Sequence, residues 1–265
     1  MTECAERYLL SDIQDHDESK RLECLEAEYD PITIARLKRV GIAHGWQCLE
    51  VGAGGGSITR WMAKQVGLGG TVVAVDLDTR FLEPLRADNV KVERLDIAEE
   101  GIGHERFDLV HARFVLLHVP KYRAALQHMV HALKPGGWLL LEEPDFTPSG
   151  SMQRTEPAID NTFSAMRAAI TAAGGHPYIG RELPSHFQKL GLENVQAEGI
   201  VSITPGDSPM ATVHSMTVTH LTDTLCATGL VSKEELDEFL RARATPNHWL
   251  MDFSFIGAWG QKPLR

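Results

Sequence analysis

Between residues 47 and 142, brief apolar runs alternate with stretches whose apolar residues recur at helical spacing, and that rhythm leaves few folds open. Gln47–Val51, Thr71–Val75, Val90–Leu95, Phe107–His111 and Trp138–Glu142 read as buried strands. Ser57–Val66, with Ile58, Trp61, Met62 and Val66 on one face, reads as a helix, as do Thr79–Arg86 and Lys121–Leu133. Strand and helix alternating in this way imply a parallel sheet covered on both faces. Upstream, Leu22, Leu25 and Tyr29 and then Ile34, Leu37 and Val40 predict two helices separated by a Tyr-Asp-Pro break, the second closed by Gly41 and Gly45. Beyond Pro144 the rhythm changes. Helices are expected over Thr155–Ala173, Leu183–Leu190, Pro209–Thr228 and Ser232–Ala244, with strands over Val195–Thr204 and Leu250–Trp259.

The expectation is an α/β chain with a seven-stranded, mostly parallel sheet and an antiparallel last strand. Residues 1–45 would form an N-terminal helical cap and 46–145 a ligand-binding core. Residues 146–265 would complete the sheet, with the helices between Pro209 and Ala244 serving as a lid, all within one compact domain. At 265 residues and 43% hydrophobic content the chain can bury a full core unaided. Its net charge of -10 lacks the footprint of a nucleic-acid or anionic-membrane binder. Cys4, Cys24, Cys48 and Cys226 are scattered, which argues against structural zinc or a disulfide framework and for a reducing compartment. The first residues are acidic, and no run reaches the roughly 18 to 20 apolar residues of a membrane span. A soluble, cytoplasmic protein with a small-molecule partner is expected; a homodimer is left open.

The most informative segment is Glu50-Val51-Gly52-Ala53-Gly54-Gly55-Gly56-Ser57, a glycine loop between the first strand of the alternation and its helix. Glycine is needed where backbone takes positive φ or must approach a ligand closely. In a doubly wound sheet such a loop lies at the edge where ligands bind. Acids fall in register with it: Glu50 two positions before Gly52, Asp76 ending the next strand and Asp96 following the one after. Asp76 can accept bonds from both hydroxyls of a ribose, and Asp96 can take the amine of an adenine. A pyridine or flavin dinucleotide is the rival ligand, favoured by NAD-dependent oxidoreductases. Its G-x-G-x-x-G fingerprint is not met, because Ser57 stands where the last glycine belongs, and no phosphate-binding Gly-Lys-Ser/Thr follows.

The runs E-V-G-A-G-G-G, V-V-A-V-D-L-D, R-L-D-I, F-D-L-V-H-A-R-F-V-L-L-H and L-K-P-G-G-W-L-L-L-E-E resemble the class I S-adenosylmethionine-dependent methyltransferases, and more narrowly their bacterial small-molecule members. The resemblance covers about residues 47–145 and extends loosely to Tyr29-Asp30-Pro31. It implies a Rossmann-like fold and S-adenosyl-L-methionine as cofactor, released as S-adenosyl-L-homocysteine. Gly52, Gly54 and Gly56 would line the methionine portion with Glu50 beneath. Asp76 would bind the ribose diol with Leu77 against the adenine, and Asp96 the adenine amine with Ile97 on the ring. Ala112 and Arg113 would pass near the sulfonium or the substrate.

Methyl transfer needs positioning above all, and a base mainly when the acceptor must lose a proton. His118 is the first candidate base, since imidazole titrates near neutrality. Asp145, beside Glu142 and Glu143, and His176, in a Gly-Gly-His-Pro-Tyr loop, are the others. Tyr8 and His16 are candidates to close over the cofactor. No histidine–acid set suggests a metal. Met166, Met210, Met216 and Trp249 motivate an apolar substrate, with natural-product biosynthesis as the setting by resemblance. A cofactor-retaining enzyme of other chemistry, such as cyclisation or decarboxylation, and a non-catalytic cofactor-binding subunit are the alternatives.

Overall fold

The computed structural model describes residues 15–152 and 156–264; Tyr8 lies outside them. The sheet is built from β1 (Gln47–Val51), β2 (Thr71–Asp76), β3 (Val90–Arg94), β4 (Phe107–Arg113), β5 (Leu133–Asp145), a two-residue β6 (Gly150–Ser151), β7 (Glu193–Pro205) and β8 (Trp249–Gln261). Its principal strands run in the order β3-β2-β1-β4-β5-β8-β7, with β6 pairing the start of β8. From β3 to β5 every pairing is parallel; β8 runs antiparallel to both β5 and β7. This is the seven-stranded, mostly parallel arrangement expected. The strand order reverses on either side of β1, which opens a crevice at the carboxyl edge of β1, β2 and β4.

Alternation of side chains along the strands sends them into two separate cores. Leu49, Val51, Val73, Val75, Val110, Leu139 and Leu141 face one side. There they meet α3 (Tyr122–Ala132) and α5 (Ile179–Lys189) through Leu126, Met129, Leu183 and Phe187. Cys48, Val72, Leu109 and Leu140 face the other side, against α1 (Asp15–Val40) and α2 (Ser57–Val66) through Leu37, Ile58, Met62 and Val66. A third apolar cluster is held apart from the strands of the parallel sheet. It joins α4 (Pro157–Ala172), α6 (Pro209–His220), α7 (Thr222–Ala227) and α8 (Lys233–Arg243) through Phe163, Met166, Val218, Leu225, Leu236 and Phe239. No helix among the described residues is long and apolar enough to cross a membrane.

Local readings give way to tertiary context in a few places. Helix α1 is continuous through Pro31, where two helices were expected. A proline inside a helix costs about 3 kcal/mol, and here the helix on either side is fixed by wholly buried contacts of Tyr29, Thr33, Arg36 and Leu37. Thr79–Arg86 forms only a 3-10 turn at Glu83–Leu85, its helix interrupted by Pro84. Strand β5 extends back across the Lys-Pro-Gly-Gly segment, with the register shifting between Phe107 and Leu109 opposite it.

The contacts of α1 with the sheet include a buried charge network. Arg36 donates from Nη1 to Glu142 Oε1 at 2.8 Å and from Nε to Glu198 Oε1 at 3.1 Å. Glu142 Oε2 accepts from the Thr33 hydroxyl at 2.6 Å and lies 3.2 Å from His111 Nε2. Burial alone would raise the Glu142 pKa, but His111 and then Arg36 pull it down to about 2. Burial opposes protonation of His111, yet Glu142 and Glu50 raise its pKa. A side chain at Gly257 would collide with the Arg36 guanidinium, so a strand glycine keeps this channel open. Arg36→Met should destabilise the fold by about 3 to 5 kcal/mol, the usual cost of stranding one member of a buried ion pair. Chemical denaturation midpoints at constant m-value measure this.

Candidate functional site

A cavity of about 890 Å³ opens over the carboxyl edge of β1, β2 and β4 and continues under α4 and α6. Its first end is made by the glycine loop. Gly52 and Gly54 stand at φ of 67° and 54°, which disfavours any side chain there. A Cβ on Gly52 would strike Val115, and one on Gly55 would strike the Glu26 carboxylate. The loop is braced by its neighbours: Gly52 N donates to Val75 O at 2.8 Å, and Gly54 N donates to Asp76 Oδ2 at 2.9 Å. Gly56 is set back from the cavity, its backbone packed where a side chain would meet Leu82 and Leu85.

Asp76, Leu77, Asp96, Ile97 and Arg113 line the cavity. Burial raises the Asp76 pKa, partly offset by the amides it accepts from Gly54 and Asp78. Glu50 does not reach the wall; it lies buried under the loop, bonded to the Thr59 hydroxyl. Ala112 is wholly buried behind the wall. Arg113 reaches it with its guanidinium held by Asp30 Oδ1 and Thr33 Oγ1, each at 2.9 Å. His16 is exposed on α1 and does not line the cavity.

The structure separates the three candidate bases. His118 is in the wall, where burial and the Arg21 charge push its pKa down to about 3. Both influences favour the neutral form of its imidazole. Asp145 and His176 are outside the wall. Asp145 is tied to Arg181 Nε at 2.5 Å; burial raises its pKa, but Arg181 and Thr147 bring it below the ordinary value. His176 Nε2 sits 3.1 Å from Glu182 Oε1. Met166 and Met210 line the cavity as expected of an apolar pocket, whereas Met216 does not and Trp249 is half-exposed elsewhere.

Several wall residues were not singled out from the sequence. Helix α1 contributes Glu18, Arg21, Leu22, Leu25 and Glu26, a roof over the glycine loop. Phe114, a bulky residue at φ 57°, turns its ring into a cluster with Tyr29, Phe253 and Phe255, at centroid distances of 5.0, 5.7 and 5.2 Å. Such strain in a non-glycine residue concentrates at ligand sites. His214, on α6, lies in the wall with Asp252 behind it. The signal available for this pair was an acid at an inward position of an apolar strand and a histidine on the apolar stripe of Met210, Val213, Thr217 and Leu221.

The first end of the cavity fits a phosphate-free, positively charged nucleoside. The amides of the loop are shared with acids, Asp76 at Gly54 and Glu26 at Ser57, and burial, with Asp30 nearby, raises the Glu26 pKa. Acids at that position would repel a pyrophosphate and attract a cation. Fold and cavity together define a Rossmann-like protein whose cavity lies at the topological switch point. A family model described as a methyltransferase domain matches residues 19–197. The chain belongs to that family, within the class I S-adenosylmethionine-dependent methyltransferases.

Among curated relatives, methyltransferase str2 of Strobilurus tenacellus is 26% identical over 61% of this chain and 55% of its own length. A demethylmenaquinone methyltransferase of Staphylococcus aureus is 34% identical over 40% of this chain and 46% of its own. The chain thus spans about half the length of the curated relatives it matches. The structure of phosphoethanolamine N-methyltransferase 2 from Haemonchus contortus with S-adenosyl-L-methionine shares the fold, with a TM-score of 0.62 at 18% identity. That match covers 98% of this chain and 60% of the other.

Glu143 ties this site to pH. Its carboxyl group accepts the amides of Val115, Leu116 and Leu117 at 2.9, 2.7 and 3.2 Å, so it holds the turn that carries His118. Burial outweighs those bonds and raises its pKa to about 8. The unfolded chain ionises this group near 4.3, as an ordinary glutamate does, roughly. Between those values the folded state holds the extra proton, so stability falls as pH rises. The expected slope is about 1.4 kcal/mol per pH unit. Urea midpoints between pH 5.5 and 8 measure it, and Glu143→Gln should flatten this component.

Proposed function

We propose that the protein transfers a methyl group from S-adenosylmethionine to a small, largely apolar metabolite, in a biosynthetic setting of the natural-product or quinone kind. The observation that carries this reading is the two-ended cavity. One end is a glycine loop edged by acids; the other is walled by Phe146, Met166, Ile170, Met210, Leu221 and Phe253. The name of the demethylmenaquinone methyltransferase relative supports an apolar, ring-bearing acceptor.

In this reading Asp76 grips the ribose diol with Leu77 near the base, while Asp96 takes the adenine amine and Ile97 packs on the ring. Gly52 and Gly54 give the methionine portion room against the backbone, with Glu50 and Gly56 shaping the loop from behind. When bound, the cofactor supplies a methyl group already activated by a positively charged sulfur. The chain's own task is then to hold donor and acceptor in line and exclude water, which can contribute on the order of 7 to 11 kcal/mol. Arg113, pinned by Asp30, and His118, kept neutral, border the passage between the two ends without adding a free negative charge.

Incubation with cofactor carrying a labelled methyl group and an extracted metabolite pool should place label in a small apolar product. Tight cofactor binding with no transfer would favour a cofactor-retaining enzyme of other chemistry or a non-catalytic subunit. Asp76→Ala should weaken binding of S-adenosyl-L-homocysteine by about 1.5 to 3 kcal/mol, the worth of a hydrogen bond to a charged group. Calorimetry reads this directly, and an unchanged affinity would remove Asp76 from the ribose.

A further inference from the structure

One wall of the cavity is a short segment that belongs to no strand or helix. It follows β3, and Leu95, Asp96, Ile97, Ala98 and Glu99 all line the cavity. Its internal bonds centre on Asp96. The Asp96 carbonyl accepts the amides of Glu99 and Glu100 at 3.1 and 2.8 Å, and Oδ1 accepts the Ala98 amide at 2.9 Å. These bonds shape the turn without fixing where it stands. Leu95 N donates to Asp76 O at 3.1 Å, which joins the segment to the end of β2, and the Ile97 side chain packs into the core. Lys121 Nζ meets Glu99 Oε1 at 2.7 Å, but both side chains are more than half exposed, and such a pair contributes little in water. The remaining tie comes from α3: His128 Nδ1 stands 2.7 Å from Ile97 O, a carbonyl that no backbone amide among the described residues reaches.

A carbonyl oxygen only accepts, so the ring nitrogen facing it carries a proton. The imidazolium and the neutral ring protonated at Nδ1 both meet that requirement; the other neutral tautomer does not. His128 is half-buried, and a side chain at Gly101 would come within 3.7 Å of its Cδ2, so the ring also lies beside the chain just beyond the segment. Its helix is held to the sheet by Leu126 and Met129, independently of the segment. The donor therefore has a fixed seat, and its partner is the backbone of the residue assigned to the face of the adenine. An apolar side chain of similar size would fill the same space but leave the carbonyl without its donor, which is the costly half of a broken hydrogen bond.

Resting on the reading of this end of the cavity as the nucleoside site, we propose that His128 is a positioning residue that sets selectivity for adenine. By holding Ile97 O it fixes the neighbouring Asp96, whose Oδ1 is taken by the Ala98 amide and whose Oδ2 is left for a second donor. Adenine presents an amine there, which a carboxylate accepts. A base with a keto oxygen in that place presents a second acceptor and is repelled. The discrimination lasts only while the carboxylate cannot withdraw. In a loosened segment Asp96 yields, and the Arg94 guanidinium, at the same end of the cavity, becomes a donor for the keto oxygen. His128 itself stays behind the wall.

The test uses the full chain and two probes, S-adenosyl-L-homocysteine and S-inosyl-L-homocysteine, which carry an amine and a keto oxygen at the same position of the base. Calorimetry on wild type should show at least tenfold tighter binding of the amine-bearing probe. His128→Leu removes the donor at similar volume. It should weaken S-adenosyl-L-homocysteine about three- to tenfold, as expected for one lost hydrogen bond, and reduce the preference between probes at least threefold. His128→Asn returns an N–H to the place of Nδ1 and should restore affinity and preference to within twofold of wild type. Full binding stoichiometry in each variant reports that it has folded. A purely structural role would weaken both probes together and leave the preference as it was, with Asn no better than Leu; either result overturns the proposal, as does a His128→Leu protein that matches wild type. A wild type that binds neither probe would instead overturn the cofactor reading beneath the proposal. One that binds both equally would overturn the contact of Asp96 with the amine, and the proposal with it.

Discussion

The architecture depends on how helix α1 is fastened to the sheet. Its Arg36 and Thr33 converge on one carboxylate, Glu142, which is flanked by His111 at the centre of the parallel strands. In a medium of low polarity these charges have no water to fall back on, so each group holds the others in one arrangement. The consequence lies a turn or more away along the same helix, where Glu18, Arg21, Leu22, Leu25 and Glu26 roof the glycine loop. Anchoring the C-terminal half of α1 determines where that roof can sit. Arg113 is drawn into the same system through Thr33 and Asp30, so the cavity wall and the anchor share side chains.

Much of the sheet was legible because burial on both faces leaves short, nearly uninterrupted apolar runs, and the helices between them carry clear periodicity. The glycine loop and the acids after β2 and β3 were legible for a related reason: ligand contact at a strand end needs particular residue types at fixed offsets from the sheet. Asp76, Leu77, Asp96, Ile97 and Arg113 all reach the cavity. What was not legible depended on neighbours far away in sequence. Pro31 reads as a break until the buried partners of Tyr29, Thr33 and Arg36 are known. Asp145 and His176 read as available until Arg181 and Glu182 are seen beside them. His214 and Asp252 are 38 residues apart and meet only through the pairing of helix and strand.

The two ends of the cavity differ in the kind of matter that lines them, and the difference follows from the topology. The loop end is built from backbone amides and strand-terminal carboxylates, groups that a parallel sheet presents along its carboxyl edge. The far end is built largely from segments that follow the last parallel strand, whose inward faces are aliphatic and aromatic. Phe114 stands at the seam, its left-handed backbone allowing the chain to turn from β4 toward the aromatic cluster that borders α6.

The helices α4, α6, α7 and α8 share an apolar cluster distinct from the two that clamp the sheet. Met166, Ala169 and Leu221 belong to that cluster and also line the cavity, so a side-chain exchange there reshapes the far end of the cavity without touching the glycine loop or the strand-end acids.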